Sequence, residues 1–442
     1  TIRSNLARLL GLLRRDRFRS PNAGRPSRRE RHGADGKIVN RRLAVVSPAD
    51  GAWSRRARSQ LPAMRAWRAA FHREPELAYH ETRTRAKIVE GLEGLGIPFR
   101  TFEGSTAVVA LLGRDRTGPV VALRADMDAL PVTEQTGLPF ASTVAGRMHA
   151  CGHDVHMSCL LGAAALLRRE EGRLRGPVKL LFQPAEEDGR RGGALPLIEN
   201  GALENPRVDY VVGQHVEPRI PAGRVGWKTG PIHAAADRFT VRVRGTPGHA
   251  ASPHQGPDAI LVAAEIVNGL QALVSRVKDP VDPVVISVGM IHGGSRHNIL
   301  PAEVVLDGTI RTLKPATRET IHLVLKRRIN RLAQSLGARA LVRIERGYPV
   351  TMNTEGATHI VVGSLAKEFG TDRLVALQES YMGAEDFSRY LEKVPGTFLE
   401  LGAGIPGRPE SLHTPTFAPP DQTLVIGAAS FAASVEGLQQ AR

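Results

Sequence analysis

Val120-Val121-Ala122-Leu123-Arg124-Ala125-Asp126-Met127-Asp128 decides the fold class of this 442-residue chain. Its apolar start reads as a strand buried on both faces, and the run ends on two carboxylates. The same order recurs twice. Val178-Lys179-Leu180-Leu181-Phe182 leads to Gln183-Pro184-Ala185-Glu186-Glu187, and Val208-Asp209-Tyr210-Val211-Val212 leads to His215. A single strand ending in Asp is ordinary, because Asp caps turns and helices. Three that supply Asp, a Glu pair and His point to the carboxyl ends of strands in an open α/β sheet, where such folds collect their sites.

The surrounding chain keeps this alternation. An amphipathic helix is expected from Trp53 to Arg73, then Glu74-Pro75-Glu76-Leu77 and a second helix to Leu95, closed by Gly96. Strands are expected at Phe99–Phe102 and Ala107–Leu112, and a packed helix at Val155–Arg168. The pattern changes between residues 233 and 346. Phe239-Thr240-Val241-Arg242-Val243-Arg244 alternates as a half-exposed strand. A helix from Asp258 to Val277, strands at Pro283–Met290 and Glu303–Leu313, a helix at Thr317–Leu336 and a strand at Ala338–Ile344 follow. This is the β-α-β-β-α-β order of a ferredoxin-like unit, inserted into an α/β domain that resumes near Tyr348. Helix Ile360–Phe369, strand Phe398–Leu401 and a helix after Asp421 complete that domain. The expected divisions are 1–50, 51–232, 233–346 and 347–442.

Charged residues at 24% and hydrophobic ones at 42% describe a globular chain, and no apolar run approaches the ~20 residues that span a bilayer. Of the net charge of +16, residues 1–50 carry +9, from thirteen Lys/Arg against four Asp/Glu. That segment lacks hydrophobic periodicity and reads as disordered. It could be a nucleic-acid arm, a targeting piece or a product of where the reading frame was drawn, and the opening on Thr1 favours the last. A nucleic-acid role is disfavoured because Phe18 is its one aromatic residue. Two cysteines, Cys151 and Cys159, exclude a disulfide framework and fit a reducing, cytoplasmic setting.

Cys151 lies in Met148-His149-Ala150-Cys151-Gly152-His153-Asp154, a thiol and two imidazoles within five residues. Soft sulfur and borderline nitrogen donors so close together suit a transition ion of the zinc or manganese type. Two such ions need donors on each and a carboxylate free to take a proton from water. Glu186-Glu187 can divide these tasks, since neighbours in an extended segment face opposite sides. With Cys151, His153, His215 and a late histidine in Leu412-His413-Thr414-Pro415, the donor set is full.

These motifs, together with Phe71-His72-Arg73-Glu74-Pro75-Glu76-Leu77, Leu123-Arg124-Ala125-Asp126-Met127-Asp128-Ala129-Leu130-Pro131, Gly248-His249-Ala250-Ala251, Asn298-Ile299-Leu300-Pro301, Gly308-Thr309-Ile310-Arg311-Thr312 and Glu385-Asp386-Phe387, carry a resemblance over residues 60–440. The chain resembles the metal-dependent amidohydrolases that include hippurate hydrolases, N-acyl-amino-acid deacylases and indole-acetyl-amino-acid hydrolases, relatives of the aminoacylase and carboxypeptidase metallopeptidases. The resemblance implies a metallopeptidase-like catalytic domain, its central sheet flanked by helices, with the inserted module as a lid and dimerisation domain. It implies two divalent ions, manganese or zinc before cobalt or nickel, on Cys151, His153, Glu187, His215 and His413. Glu186 would be the general base, Asp128 would orient a ligating imidazole, and His249, often supplied by the partner subunit in such enzymes, would stabilise the oxyanion. Asn298 and Arg311 would hold the substrate carboxylate. The substrate would be a small N-acyl amino acid or a dipeptide, the assembly a homodimer, with no nucleic acid or membrane partner. Dipeptidase or carboxypeptidase action at the same site, and a cysteine hydrolase using Cys151, are the alternatives.

Two positions depart from the pattern. Pro247 stands where relatives carry a small or basic residue, and His233 where many carry an apolar one. His149 and His156 are expected to be structural, and His254, His292 and His297 to be ordinary surface histidines.

Overall fold

The computed structural model describes residues 50–276, 279–408 and 411–441. The disorder expected for the basic segment falls on residues 1–49, outside the described residues. Asp50 is part of the folded body, buried and bonded to Arg58 and Arg373.

Helices α1 (Ala52–Arg73) and α2 (Thr82–Gly94) lead to strands β1 (Phe99–Thr101), β2 (Val108–Leu112) and β3 (Val121–Asp126). Helix α3 (His153–Arg169), β4 (Val178–Gln183), α4 (Ala194–Glu199), β5 (Tyr210–Pro221) and β6 (Val225–Trp227) follow. All six residues of β3 and of β4 are buried, the polar Arg124, Asp126, Lys179 and Gln183 among them, as strands covered on both faces require. Val121 and Leu123 pack with Met64 and Phe71 of α1 and Leu160 of α3. Ala122 faces the other side, with Leu197 of α4, Phe387 and Tyr390.

The chain then enters the module through β7 (Gly230–His233). The module holds β8 (Ala235–Arg244), the two-residue β9 (Gly248–His249), α5 (Ala259–Arg276), β10 (Val284–Gly293), β11 (Ile299–Leu300), β12 (Glu303–Thr312), α6 (Pro315–Ser335) and β13 (Arg339–Arg346). Its four long strands pair antiparallel in the order β10-β12-β8-β13, the topology expected from the sequence. Phe239, Val241 and Val243 face Ile266 and Leu270 of α5 and Leu325 and Ile329 of α6. Helix α5 is long and apolar enough to cross a membrane by length and composition, yet its Val262, Ile266 and Leu270 are core residues of this module.

The return passes through β14 (Thr351–Asn353), α7 (Glu355–Phe369), β15 (Leu374–Ala376), the short α8 (Ser388–Leu391), β16 (Gly396–Gly404) and α9 (Gln422–Gln440). The main sheet is eight-stranded and mixed, β1-β2-β4-β3-β5-β16-β6-β15, with parallel pairing at its centre. Helices α1, α3, α7 and α9 contribute to one core layer against it, and α4 and α8 to the other.

Three local readings need correction. Strand β5 does not stop at Val212: parallel pairing with β16, through Glu400 opposite His215, carries it past the apolar run. Helix α3 begins at His153 rather than Val155, so this histidine sits on the first turn. Glu186-Glu187 is not extended. Ala185 takes a left-handed φ of 54° and Glu186–Asp188 forms a single 3-10 turn.

Candidate metal centre

Four chain segments converge at the ends of β3 and β4 and beside the middle of β5. Gly152 turns the chain between Cys151 and His153 with a φ of 84°, and a Cβ there would meet Val216 at 2.5 Å. Only glycine fits such a turn at such a contact. The result points both side chains at one region. Cys151 Sγ lies 3.2 Å from His215 Nε2 and 3.2 Å from His413 Nε2, and His413 Nε2 lies 3.2 Å from Glu187 Oε1. His215 Nδ1 donates to the Val216 carbonyl at 2.8 Å, which leaves the Nε2 lone pair aimed at the sulfur. His413 holds a left-handed φ of 62°, with its N–H on the Ala150 carbonyl.

Asp128 fixes the glutamate pair. Its two oxygens accept the backbone N–H groups of Glu186 and Glu187, each at 2.9 Å, so the turn is clamped without using either glutamate side chain. The same carboxylate stands 3.5 Å from His153 Nδ1. Asp126 is more closely tied to an imidazole. It meets His156 Nδ1 at 2.6 Å, and His156 Nε2 accepts the Val216 N–H at 2.9 Å. Behind these, Arg124 is wholly buried and pairs with Asp126 and Asp386 at 2.7 Å and Glu385 at 3.0 Å.

The donor atoms fall into overlapping sets. Cys151, His153 and His215 lie within 4.8 Å of one another, as do Cys151, Glu187 and His413, and His153 with Glu186 and Glu187. Cys151 belongs to two sets. Both nitrogens of His153 are buried without a hydrogen bond, a costly arrangement unless another group satisfies them. Burial, Glu187, Glu186 and Asp126 push the Cys151 thiol well above its usual range. Burial alone would lower His153, yet Asp126 and Asp128 carry it up to about 10. A thiol and three carboxylates crowded on imidazoles form a site built for added positive charge, and the residues fit a divalent ion.

Residues 122–437 match the peptidase family M20/M25/M40. The chain belongs to this family. It is 41% identical over 337 residues to thermostable carboxypeptidase 1 of Saccharolobus solfataricus, covering 76% of this chain and 84% of that one. It is 40% identical over 365 residues to an N-acetyl-L-cysteine deacetylase of Bacillus subtilis, covering 82% and 85%. A crystal structure of a Bacillus subtilis dinuclear metal-binding peptidase of the M20 family superposes with a TM-score of 0.75 at 32% identity, over 86% of this chain and 98% of that one. The M20 membership makes this chain an amidohydrolase or peptidase, with the α/β fold and inserted module of its relatives.

In this M20 enzyme a cavity of about 790 Å³ joins the Cys151 cluster to the module. Glu186, Glu187, His215 and His413 line it from one side and Arg311 from the other. The Arg311 guanidinium makes no hydrogen bond or ion pair among the described residues, and burial lowers its pKa. His249 and Asn298 are not brought to this cavity. Both are exposed: the His249 ring accepts the Ala251 N–H, and the Asn298 carbonyl accepts that of Ala250. Two cavity-lining groups escaped sequence reasoning. Tyr348 donates to the Glu186 carbonyl at 2.6 Å and accepts the Gly189 N–H, bracing the glutamate turn. Glu400 pairs with His233 at 2.7 Å. A lone carboxylate inside the apolar run Phe398–Leu401 was the available signal for the second.

Proposed function

We propose that this M20 enzyme hydrolyses the amide bond of N-acyl amino acids, hippurate-like or N-acetyl, at a site holding two divalent ions. The observation that carries the reading is the place of Cys151 in two donor sets, so its sulfur would help to hold the pair of ions. His153, His215, Glu187 and His413 would complete the ligand set. Manganese or zinc suits these donors first, then cobalt or nickel, and when bound the ions supply Lewis acidity toward the scissile carbonyl and toward water. Asp128 keeps the glutamate turn and His153 in register. Glu186 takes a proton from the attacking water as its oxygen bonds to the acyl carbon. The same carboxyl then delivers the proton to the amine nitrogen as the C–N bond breaks, releasing a carboxylic acid and an amino acid. Burial together with Glu385 pushes Glu186 upward, the direction a base working near neutral pH needs.

Arg311, without a hydrogen bond or ion pair among the described residues, suits the carboxylate of the amino-acid half. On this reading residues 51–232 and 347–442 form the catalytic domain, and 233–346 a lid that pairs with a second copy. Edge strand β10 supports the pairing, since Met290 and Ile291 lie exposed on it. The second copy would bring its His249 to the oxyanion and its Asn298 to the carboxylate. The two cysteines are free thiols, which fits a cytoplasmic enzyme.

The deacetylase relative supports this substrate class. The carboxypeptidase relatives favour a second reading, dipeptidase or carboxypeptidase action with the same donors. A nucleophilic Cys151 is disfavoured, because its sulfur is shared by two donor sets and, with no ion bound, burial and three carboxylates push the thiol upward. Protein stripped with EDTA is to be assayed on acetyl-, benzoyl- and indole-acetyl-amino acids and on dipeptides, with each ion restored in turn. Turnover that returns with metal and favours the N-acyl series is expected. Full activity in the stripped protein would overturn the metal reading, and a preference for dipeptides the substrate class.

A further inference from the structure

The wall of the cavity beside His215 carries a polar cluster that the proposed reaction does not use. Glu400 lies opposite His215 in the β5–β16 pairing and is almost wholly buried. Its Oε1 meets His233 Nε2 at 2.7 Å. The His233 ring stacks on Tyr381 with centroids 5.2 Å apart and an interplanar angle of 29°, and meets Phe398 edge-on at 5.7 Å. The Arg219 guanidinium sits 4.2 Å from the Tyr381 centroid and pairs with Glu217 through two contacts of 2.9 Å. The ring of His233 is therefore fixed on three sides, and its Nδ1 is buried without a hydrogen bond. Gly383 stands beside that nitrogen, and a Cβ added there would lie 3.8 Å from it, in ordinary van der Waals contact. His233, Glu400 and Gly383 all line the cavity.

A buried ion pair is seldom cheaper than an apolar pair of the same volume, and is retained where it specifies something. An oriented, buried ring nitrogen with no partner, on a residue of the cavity wall beside a glycine, is an unfilled hydrogen-bonding position. We propose that His233, held by Glu400, is a specificity-determining residue whose Nδ1 bonds a polar substituent of the substrate. The preferred substrates are N-acyl amino acids carrying an amide, hydroxyl or carboxylate on the acyl group or side chain, over hydrocarbon isosteres. The inference rests on the amidohydrolase reading above and narrows its substrate class. The chemistry is that of sites which reject an analogue lacking a polar group because a buried partner is left unpaired.

The test uses the metal-loaded enzyme and two isosteric pairs. The acyl pair is succinamoyl against 4-methylpentanoyl on one amino acid, and the side-chain pair is N-acetyl-asparagine against N-acetyl-leucine. The parent is expected to favour the polar member of at least one pair. His233→Met should shift that kcat/KM ratio toward the hydrocarbon by about 10–100-fold, while His233→Gln keeps most of the preference and Glu400→Gln lies between. Melting temperatures of all three variants separate lost recognition from lost folding, and His233→Gln with Glu400→Gln decides if His233→Met does not fold. Ratios that move less than about twofold in both pairs, in folded variants, would overturn the subsite. That result leaves turnover intact. Failure of the parent to cleave any N-acyl amino acid would instead overturn the amidohydrolase reading, and this inference with it.

Discussion

The sheet ends around Cys151 and the inserted module handle polar groups in opposite ways. At the sheet ends, Asp126, Asp128, His153 and Glu186 are buried, and His153 has no hydrogen-bond partner. On the open face of the module, Arg238 pairs with Asp307 and Arg242 with Glu303 in partly exposed ion pairs, over an ordinary apolar core. Surface pairs of that kind contribute about 0–1 kcal/mol and leave nothing unsatisfied. The first region is therefore incomplete as protein alone, and its chemistry depends on what it binds. The second pairs these surface charges within itself, and what it adds is position.

The sharpest way to break this contrast is Glu186→Gln. It removes the proposed base but no proposed ligand, so metal content by elemental analysis should match the parent while kcat falls by about 10²–10⁴ or more. Activity within a few-fold of the parent would show that the buried carboxylates serve structure alone.

Asp237 is the module's exception, and the next largest effect belongs to it. Burial raises its carboxyl, but hydrogen bonds from His322 and Arg318 more than reverse this and bring it down to about 2. It also accepts the Gly347 N–H where the chain leaves the module. Asp237→Asn leaves a buried Arg318 without its counter-charge, and denaturant unfolding should show a loss of about 3–5 kcal/mol. The folded carboxyl titrates below its ordinary 3.8. Its contribution is thus complete above about pH 4 and fades as pH falls through 2, a slope the Asn variant should lack.

How much of each region was legible follows from the same contrast. The module was readable because its strands alternate and its helices carry one apolar stripe, and those periods fix topology. Its β-α-β-β-α-β order stands for the four long strands, and the two-residue pair β9–β11 is what the periods did not show. At the site, donor identities were readable from motifs, but their local geometry was not. Propensity cannot show that Asp128 would clamp Glu186 and Glu187 into a turn, or that pairing with β16 would extend β5 through His215. Both are tertiary effects. The His233–Glu400 pair was illegible for the same reason, since its members are 167 residues apart. So was the separation of His249 and Asn298 from the cavity that Arg311 reaches.

Arg311→Ala tests whether the module adds position to the chemistry. Its guanidinium should meet the substrate carboxylate, so KM for N-acyl amino acids should rise much more than for the corresponding amides. Loss of such a charge-assisted pair costs about 1.5–3 kcal/mol, a factor on the order of 10–100. Equal effects on acid and amide would return Arg311 to a structural role in β12.

The smallest signal is also the most specific link between the two regions. His249 lies on the exposed two-residue strand β9, while Glu186 lies in the cavity. If the second copy supplies the first of these to the site of the second, inactive His249→Ala and Glu186→Gln chains complement each other. A heterodimer then holds one site with an intact Glu186 and an intact His249, and one site lacking both. Random reassortment makes half the dimers mixed, so co-refolded chains should recover about a quarter of the parental turnover. Each variant refolded alone should stay inactive. Heterodimers confirmed by mass but without recovered turnover would confine His249 to its own chain or remove it from catalysis. The module would then be a lid whose contribution ends at Arg311.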